Sequence, residues 1–254
     1  MPNKIAAFIL IFLFLLGGIS TNTQAKTNDF YSDEDFESYT NDNDDTIRDP
    51  LEKYNRKIFA FNDFLDRYCL EYIAKAYRND VPKPARDAVR NFLTNLSGPI
   101  SAFNSFLQGK VENGLATFSN FLINSTVGIG GIFNVASEKG IRYRSEDFGQ
   151  TLGHYGVNSG SYLVVPFIGP STVRDFGGFA TDQLISPTSY NCLKIGGKIY
   201  LIGDETLIAV TTLRAIDTRE SLIDIIDDVK KDSFDYYATL RSAYVQKRNN
   251  DIKN

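Results

Sequence analysis

The most constraining feature of this sequence is a stretch of 25 residues, Gly149 to Val173, that contains no Asp, Glu, Lys or Arg. Pro166, Pro170 and several glycines interrupt it too often for a single transmembrane helix. Its segment 162–168 is also too apolar for a solvated loop. The stretch therefore predicts backbone that is folded closely inside the molecule, with turns where glycine permits a positive φ angle.

A second uncharged run of 25 residues extends from Asn113 to Ser137. Two explanations fit such a pair of runs: a large protein core, or contact with a bilayer, where each charge costs about 2.5–3.5 kcal/mol at depth. The residues alone favour neither explanation. Within this run, Gly128, Gly130 and Gly131 place three glycines in four positions, which interrupts any helix and predicts a hinge.

The N-terminus predicts export. Lys4 precedes an apolar run from Ile5 to Leu16, and Thr23-Gln24-Ala25 offers a cleavage site, so residues 1–25 have the features of a signal peptide. Residues 26–48 are rich in Asp and Glu and poor in aliphatic side chains, which predicts a disordered acidic spacer. Residues 49–250 are then expected to form the folded domain.

Helical periodicity dominates the first half of that domain. Asp49 is placed to cap a helix, and a second helix is expected at 66–78. Pro84 opens a third helix, which Gly98-Pro99 is expected to break. Apolar residues recur at helical spacing again from Val111 onward, and no sustained alternation predicts strands. The expected fold class is therefore mainly α.

The second half of the domain shows the same spacing. Ser171 is placed to cap a helix that continues to Asp182, and further helices are expected after Leu207 and after Ser233. Between them, residues 198–201 have the alternation of a short extended segment.

Two pairs of polar residues are candidates for a functional surface. Asn55 and Asn62 lie seven residues apart on one helix face, either as hydrogen-bonded residues of a buried helix or as a polar lining. Asp175 and Asp182 have the same spacing, and their face is either ordinary solvated surface or the lining of a wet path. Gly178 between them is expected to leave that face open and both carboxylates hydrated.

The sequence lacks the residues of common enzymatic sites. The single histidine, His154, excludes a site with several histidine ligands. Gly-x-Ser-x-Gly, GxGxxG and GxxxxGK do not occur. We therefore expect no enzymatic activity, no catalytic residue, no metal and no cofactor. A formal charge of −4 does not suggest nucleic acid, and spacing does not decide whether Cys69 and Cys192 form a disulfide.

Six segments of the domain are informative together. In chain order they are DPLEKYNRKIFAFN (49–62), DVPKPARDAVRNFLTNLSGPISAFNSFLQGK (80–110), FLINSTVGIGGIFNVAS (121–137), FGQTLGHYGVNSGSYLVVPFIGPSTVRDFGG (148–178), IDTRESL (216–222) and YATLRSAYVQKR (237–248). Over residues 48–250 this series resembles the MlaA (VacJ) family of phospholipid-transport proteins of the Gram-negative outer membrane. The series is more specific than any one motif.

The resemblance implies a mainly α, ring-like single domain of many helices with Gly-rich irregular segments, embedded in the periplasmic side of the outer membrane. It implies that phospholipid leaves the outer leaflet through a polar channel and reaches a periplasmic carrier protein. This transport keeps the membrane asymmetric, often beside a trimeric porin. Asp175 and Asp182 would border the channel, and residues 128–136 would form the base of a mobile hairpin.

One feature departs from the family pattern. Family members usually carry a lipid on a cysteine just after the apolar N-terminal run, whereas the first cysteine here is Cys69. We therefore expect an exported chain without that lipid, held at the periplasmic face of the outer membrane by its fold. The alternative function is a periplasmic helical adaptor that binds an outer-membrane protein and transports nothing.

Overall fold

The computed structural model of the protein describes residues 49–185 and 204–253, and it is mainly helical, as predicted. Within these ranges the elements are α1 (Glu52–Leu65), a π-helical turn (Asp66–Leu70), α2 (Glu71–Asp80), α3 (Lys83–Leu107), α4 (Val111–Thr126), α5 (Val135–Glu138), α6 (Phe148–His154), β1 (Tyr162–Val165), β2 (Gly169–Thr172), α7 (Val173–Ile185), α8 (Asp204–Ser221), α9 (Ile223–Asp232) and α10 (Tyr236–Lys253). The expectations for residues 1–48, for residues 198–201 and for Cys192 lie outside the described residues.

Asp49 does not cap α1, which corrects the prediction. The helix begins at Glu52 without a side-chain cap, and the π-helical turn joins it directly to α2. The buried Asp49 carboxylate instead accepts hydrogen bonds from Asn55 at 2.8 Å, from Arg241 at 3.1 Å and from the hydroxyl of Tyr237. Because Tyr237 and Arg241 belong to α10, their hydrogen bonds to Asp49 connect the first and last helices of the domain.

Gly98-Pro99 does not break α3, and this prediction is also wrong. The helix continues through both residues. Pro99 removes one backbone donor, but Gly98 lets α4 approach so closely that a Cβ at this position would lie 2.9 Å from Cβ of Phe121. Because packing against a neighbour supplies most of a helix's stability in a protein, this contact outweighs the missing hydrogen bond.

The glycine-rich stretch 148–178 folds into α6, the hairpin β1–β2 and the first turns of α7. The strands pair antiparallel, with Tyr162 opposite Thr172. No strand was predicted here, because four residues give too few positions for alternation to be recognised. Tyr162 and Val164 are buried and pack with Tyr237 of α10, so the hairpin belongs to the core.

Thr172, and not Ser171, caps α7. The hydroxyl oxygen of Thr172 accepts a hydrogen bond from the backbone N–H of Asp175 at 3.1 Å. Ser171 is still part of strand β2, where its hydroxyl is 3.3 Å from the carbonyl of Thr172. The cap falls one residue later than predicted because the hairpin extends the strand to Thr172.

Helices α6 and α7 cross at two glycines. A Cβ on Gly178 would lie 2.2 Å from the backbone nitrogen of Gly149, and a Cβ on Gly149 would lie 2.8 Å from Oδ1 of Asp175. The expectation of an open face around Gly178 is therefore wrong. Glycine is needed at both positions because the neighbouring backbone and carboxylate occupy the space of a side chain.

Replacing Gly178 with alanine is expected to lower the free energy of unfolding by about 1–3 kcal/mol, as overpacking usually does. Gly177 is the matched control, because it precedes Gly178 in the same helix and a Cβ there meets no atom within 4 Å. Gly177→Ala should be neutral or stabilising by up to roughly 1 kcal/mol, in line with helix propensity. Chemical unfolding in detergent, followed by circular dichroism, measures both; equal stability of the two variants would contradict the close crossing.

Candidate functional site

Helix α4 has its amphipathic faces reversed. Its buried face consists of Gly114, Thr117, Asn120 and Asn124, and its exposed face of Val111, Leu115, Phe118 and Leu122. The four large apolar side chains are between 42% and 56% exposed. A helix on the surface of a water-soluble protein turns its apolar stripe inward, so α4 has the polarity of a helix whose outer face contacts lipid or another protein.

The same reversal extends over the part of the chain that the structure describes. Buried polar and charged residues outnumber buried apolar residues there, and most of the buried apolar residues are alanine or valine. Large apolar side chains are exposed on α1, on α2, on the hairpin and on α7. Among the described helices, none combines the length and the apolar character that crossing a bilayer requires.

A cavity of about 260 Å³ lies between α3, the segment 143–147, α7 and α8. Carbon atoms make up most of its accessible surface, but most of the residues that line it carry a hydroxyl or a charge, including Arg90, Ser97, Ser101, Tyr143, Arg214 and Asp217. The hydroxyls of Ser101 and Tyr143 are 2.9 Å apart, and burial raises the pKa of Tyr143, which therefore stays protonated. No three His, Cys, Asp or Glu side chains within residues 49–185 and 204–253 are grouped to hold a metal ion.

Each carboxylate in the cavity wall is paired with a cation. The pairs are Asp217 with Arg90 at 3.2 Å, Asp147 with Arg248 at 2.6 Å, and Glu146 with Lys110 at 3.1 Å. Burial raises the pKa of Asp217, and the charge of Arg90 opposes that shift. The protein thus neutralises the negative charge of the wall with its own cations.

Arg214 is different from the other charged residues of the wall. Its guanidinium donates to Oγ of Ser97 at 3.0 Å and to the carbonyl oxygen of Leu93 at 2.9 Å. It forms no ion pair with any carboxylate in the described part of the chain. Burial lowers the pKa of Arg214, but an arginine stays charged under physiological conditions. Arg214 is therefore a cation of the wall that has no direct carboxylate partner among the described residues, although the charge of Asp217 acts on it.

Asn55 and Asn62 hold the hairpin against α1. Asn55 is buried; its Nδ2 donates to the carbonyl of Tyr162 at 3.0 Å, and its Oδ1 accepts from the N–H of Val164 at 2.9 Å. Asn62 bonds in the same way to the carbonyl of Val165 and to the N–H two residues later, at 3.0 and 2.9 Å. This geometry favours the hydrogen-bonded alternative. Neither residue is part of the cavity wall, and their lining role stays a prediction.

Asp175 and Asp182 share one face of α7, and that face packs against α6. Asp182 accepts hydrogen bonds from the N–H of Phe148 at 2.8 Å and from Nδ2 of Asn104 at 3.0 Å, and burial raises its pKa. Asp175 is 6% exposed and accepts from the hydroxyl of Tyr244 at 2.9 Å. Protein groups, and not water, therefore satisfy Asp175, which corrects the expectation of a hydrated carboxylate.

Gly128, Gly130 and Gly131 belong to the turn that follows α4. Gly130 and Gly131 have φ angles of 71° and 94°. A Cβ on Gly131 would lie 2.4 Å from Cβ of Asn95, and a Cβ on Gly128 would lie 2.2 Å from the carbonyl oxygen of Phe133. Gly130 faces open space. Close packing therefore requires glycine at positions 128 and 131. At position 130 only the positive φ angle favours glycine.

Sequence patterns did not predict the charged residues of the cavity wall. One signal was available for Arg214, which is the only charged residue between Glu205 and Asp217. An isolated charge within an otherwise uncharged stretch of a helix indicates a position where the charge can have a specific partner. The remaining wall residues come from distant parts of the chain, and their spacing gives no such signal.

Two relatives of this chain are named for phospholipid transport. Proteins of Shigella flexneri and Escherichia coli K12, both named intermembrane phospholipid transport system lipoprotein MlaA, are 38% and 37% identical to it over 203 residues. Each alignment covers 78% of this chain and 76% of the relative. An uncharacterized protein of Rickettsia bellii is 34% identical over 245 residues, which is 95% of this chain and 92% of that protein.

The fold and the family model agree with these relatives. A solved structure, from work on the structural basis for maintenance of bacterial outer membrane lipid asymmetry, matches with a TM-score of 0.69 and 35% identity. The match covers 81% of this chain and 99% of the other. A family model described as MlaA lipoprotein matches residues 47–251. Because this model covers most of the chain and the relatives exceed 30% identity, the chain belongs to the MlaA lipoprotein family.

Proposed function

We propose that this protein takes phospholipid from the outer leaflet of the outer membrane through a polar path to a periplasmic carrier, and so maintains lipid asymmetry. The observation that carries the proposal is helix α4, which is polar inside and apolar outside. Such a helix keeps one face in lipid while the other borders a polar interior. The names of the Shigella and Escherichia relatives, and the subject of the similar solved structure, support it.

The reversed polarity suits the energetics of lipid transport. Exposing the roughly 30 methylenes of a phospholipid to water would cost about 25 kcal/mol, at ~0.8 kcal/mol each. An apolar exterior lets the acyl chains stay in the bilayer. The headgroup loses water as it enters the protein, and a polar interior replaces the lost hydrogen bonds. In this proposal the protein binds and guides a lipid and catalyses no reaction.

The proposed location is the periplasmic face of the outer membrane, with attachment through the apolar exterior. Tyr68 and Tyr72 are both 76% exposed, and Phe64 is 55% exposed. Aromatic side chains of this kind favour the boundary between lipid and water. A trimeric porin and a periplasmic lipid carrier are the proposed protein partners.

Deletion and complementation in a Gram-negative host test this function. An amine-reactive reagent that does not cross the outer membrane labels phosphatidylethanolamine in the outer leaflet of intact cells. A host without its own protein of this family should show raised labelling, and expression of this chain should lower it. Labelling that stays high while the chain is present in the outer membrane at normal level would contradict the proposal.

A second candidate is the periplasmic adaptor, since exposed apolar side chains also suit a protein partner. Flotation of the purified chain with liposomes, in the absence of porin, separates the two functions. A membrane-embedded transporter should rise with the lipid, and an adaptor should stay at the bottom of the gradient.

We also propose that the turn containing Gly128, Gly130 and Gly131 is a hinge for the segment that follows. Gly130 supports this role, because it has a positive φ angle and no neighbour within 4 Å of its missing Cβ. The close packing of the other two glycines would fix the ends of the turn while Gly130 moves. The hinge would let residues 132–137 open and close beside the lipid path.

Replacing Gly130 with alanine is expected to reduce phospholipid transfer at nearly unchanged helical content. The control is Gly140→Ala, because Gly140 also has a positive φ angle, 81°, and also faces open space. Both variants should lose roughly 1–2 kcal/mol from strain in the left-handed region. The outer-leaflet labelling assay measures transfer. Equal transfer by the two variants would count against the hinge.

A further inference from the structure

We propose that Arg214 binds the phosphodiester of a phospholipid headgroup inside the cavity between α3 and α8. The inference rests on the proposed transport function and deepens it, because it names a place in the interior where the headgroup is held. The residues that carry it are Arg214, the hydroxyl groups around it and the apolar side chains at the same wall.

The charged groups of the cavity wall support binding of an anion at Arg214. The three carboxylates of the cavity wall each form an ion pair with another cation of the protein, whereas Arg214 forms no direct ion pair in the described part of the chain and interacts with Asp217 only over a longer distance. A guanidinium has five N–H donors, and the bonds to Ser97 and to Leu93 engage only part of them. Because Arg214 lines the cavity, an anion bound there could accept from the remaining donors and balance the positive charge.

The chemistry of the neighbours selects the kind of anion. A phosphodiester has one negative charge and two free oxygens, which a single arginine can neutralise and bind in a bidentate way. Hydroxyl groups of Thr94 and Thr218 in the same wall can donate to the same oxygens. A free phosphate carries between one and two negative charges at neutral pH, and one arginine would leave its dianion incompletely neutralised.

The volume of the cavity and its apolar side chains also fit a phospholipid headgroup. A cavity of about 260 Å³ is smaller than the pockets of about 300–1,000 Å³ that enclose drug-sized ligands, so it has room for a headgroup and not for two acyl chains. Leu93, Ile100 and Phe179 contribute apolar surface to the same wall. This surface suits the glycerol backbone and the first carbons of the chains, which then leave the cavity toward the lipid.

Arg214 also connects two helices, because its hydrogen bonds to Ser97 and Leu93 join α8 to α3. A variant of Arg214 that fails to fold would give no information on binding. The test therefore uses two substitutions, Arg214→Gln and Arg214→Lys, and it measures ligand binding apart from stability. Arg142→Gln is the matched control, since Arg142 is exposed and its replacement changes the net charge by the same amount.

The experiment is calorimetric titration of the full chain in detergent with dihexanoylphosphatidylglycerol below its micellar concentration. Wild type and Arg142→Gln should bind it equally. Arg214→Gln should bind it roughly tenfold to a hundredfold more weakly, which corresponds to the loss of charge-assisted hydrogen bonds. Arg214→Lys, which keeps the charge, should be intermediate. Dihexanoylglycerol, which lacks the phosphate, should not bind, and inorganic phosphate should compete poorly.

Binding by Arg214→Gln at no more than a threefold loss would overturn the proposal, because Arg214 would then be only a link between helices. Equal competition by inorganic phosphate would overturn it as well, since the site would then belong to free phosphate. If wild type does not bind the lipid and outer-leaflet labelling in cells is nevertheless normal, the headgroup site is refuted and the transport function is retained. Failure of the cell assay alone would refute transport without removing the measured site.

Discussion

Replacing Glu220 with glutamine is expected to lower the free energy of unfolding by about 3–5 kcal/mol, the usual loss when one partner of a buried ion pair is removed. The Glu220 side chain is 4% exposed and is the common partner of three arginines. Arg78 lies at 3.0 Å and Arg90 at 2.9 Å, and Arg86 is in direct contact. Glutamine keeps the shape of the side chain but removes the negative charge that compensates the desolvation of these guanidinium groups.

The effect extends across three helices. Glu220 is in α8, and the arginines are in α2 and α3, so the cluster fixes these helices to one another beside the cavity. Arg78 and Arg90 retain second partners in Asp224 and Asp217, whereas Arg86 has no other carboxylate in the described part of the chain. Most of the expected loss therefore comes from Arg86.

Asp224→Asn is the control for this prediction. Asp224 is also paired with Arg78, at 2.8 Å, but its side chain is 75% exposed. An exposed pair of this kind contributes about 0–1 kcal/mol. Chemical unfolding of both variants gives the comparison. Similar losses for the two variants would mean that burial does not determine the strength of the cluster.

The largest functional effect is expected from charges on the outer face of α4. Leu115 and Leu122 are 55% and 45% exposed and belong to the reversed apolar stripe. If lipid surrounds this face, glutamate at both positions costs up to about 2.5–3.5 kcal/mol for each charge. The double variant Leu115→Glu, Leu122→Glu should therefore fail to float with liposomes and should lose transport. If water surrounds the face, glutamate should be tolerated or even favourable.

The double variant Leu115→Ala, Leu122→Ala is the control, because it removes the same bulk without adding charge. It should float with liposomes, with somewhat weaker binding. Circular dichroism should show similar helical content for both variants, since both keep good helix formers on an exposed face. Flotation of the glutamate variant at the level of the alanine variant would refute lipid contact at α4.

Local periodicity was enough to predict the helical class and most of the helices. The errors occur where tertiary contacts override a local signal. Gly98-Pro99 has the composition of a helix end, and only the approach of Phe121 from α4 explains why α3 continues. The hairpin β1–β2 depends on Asn55, more than one hundred residues earlier in the chain, which bonds to its backbone. Spacing within a short segment carries no information of that kind.

The spacing of the candidate site residues could be predicted from the sequence, but the groups that surround them could not. Asp175 and Asp182 were correctly placed on one face of a helix, yet the sequence does not reveal that α6 covers this face. The polar residues Thr117, Asn120 and Asn124 of α4 recur at helical spacing within the uncharged run 113–137. Whether such a stripe faces water or the interior depends on the medium outside the protein, which spacing does not encode.

Spin-label accessibility tests most directly whether the exposed apolar residues of this protein face lipid while its interior is polar. Single cysteines at Leu115, Leu122, Ser97 and Thr218 carry the label, in a chain where Cys69 and Cys192 are replaced by serine. In liposomes, labels at Leu115 and Leu122 should collide more with lipid-soluble oxygen than with a water-soluble nickel complex. Labels at Ser97 and Thr218 in the cavity wall should show the opposite order. Collision mainly with the nickel complex at Leu115 and Leu122 would place α4 in water and contradict the account.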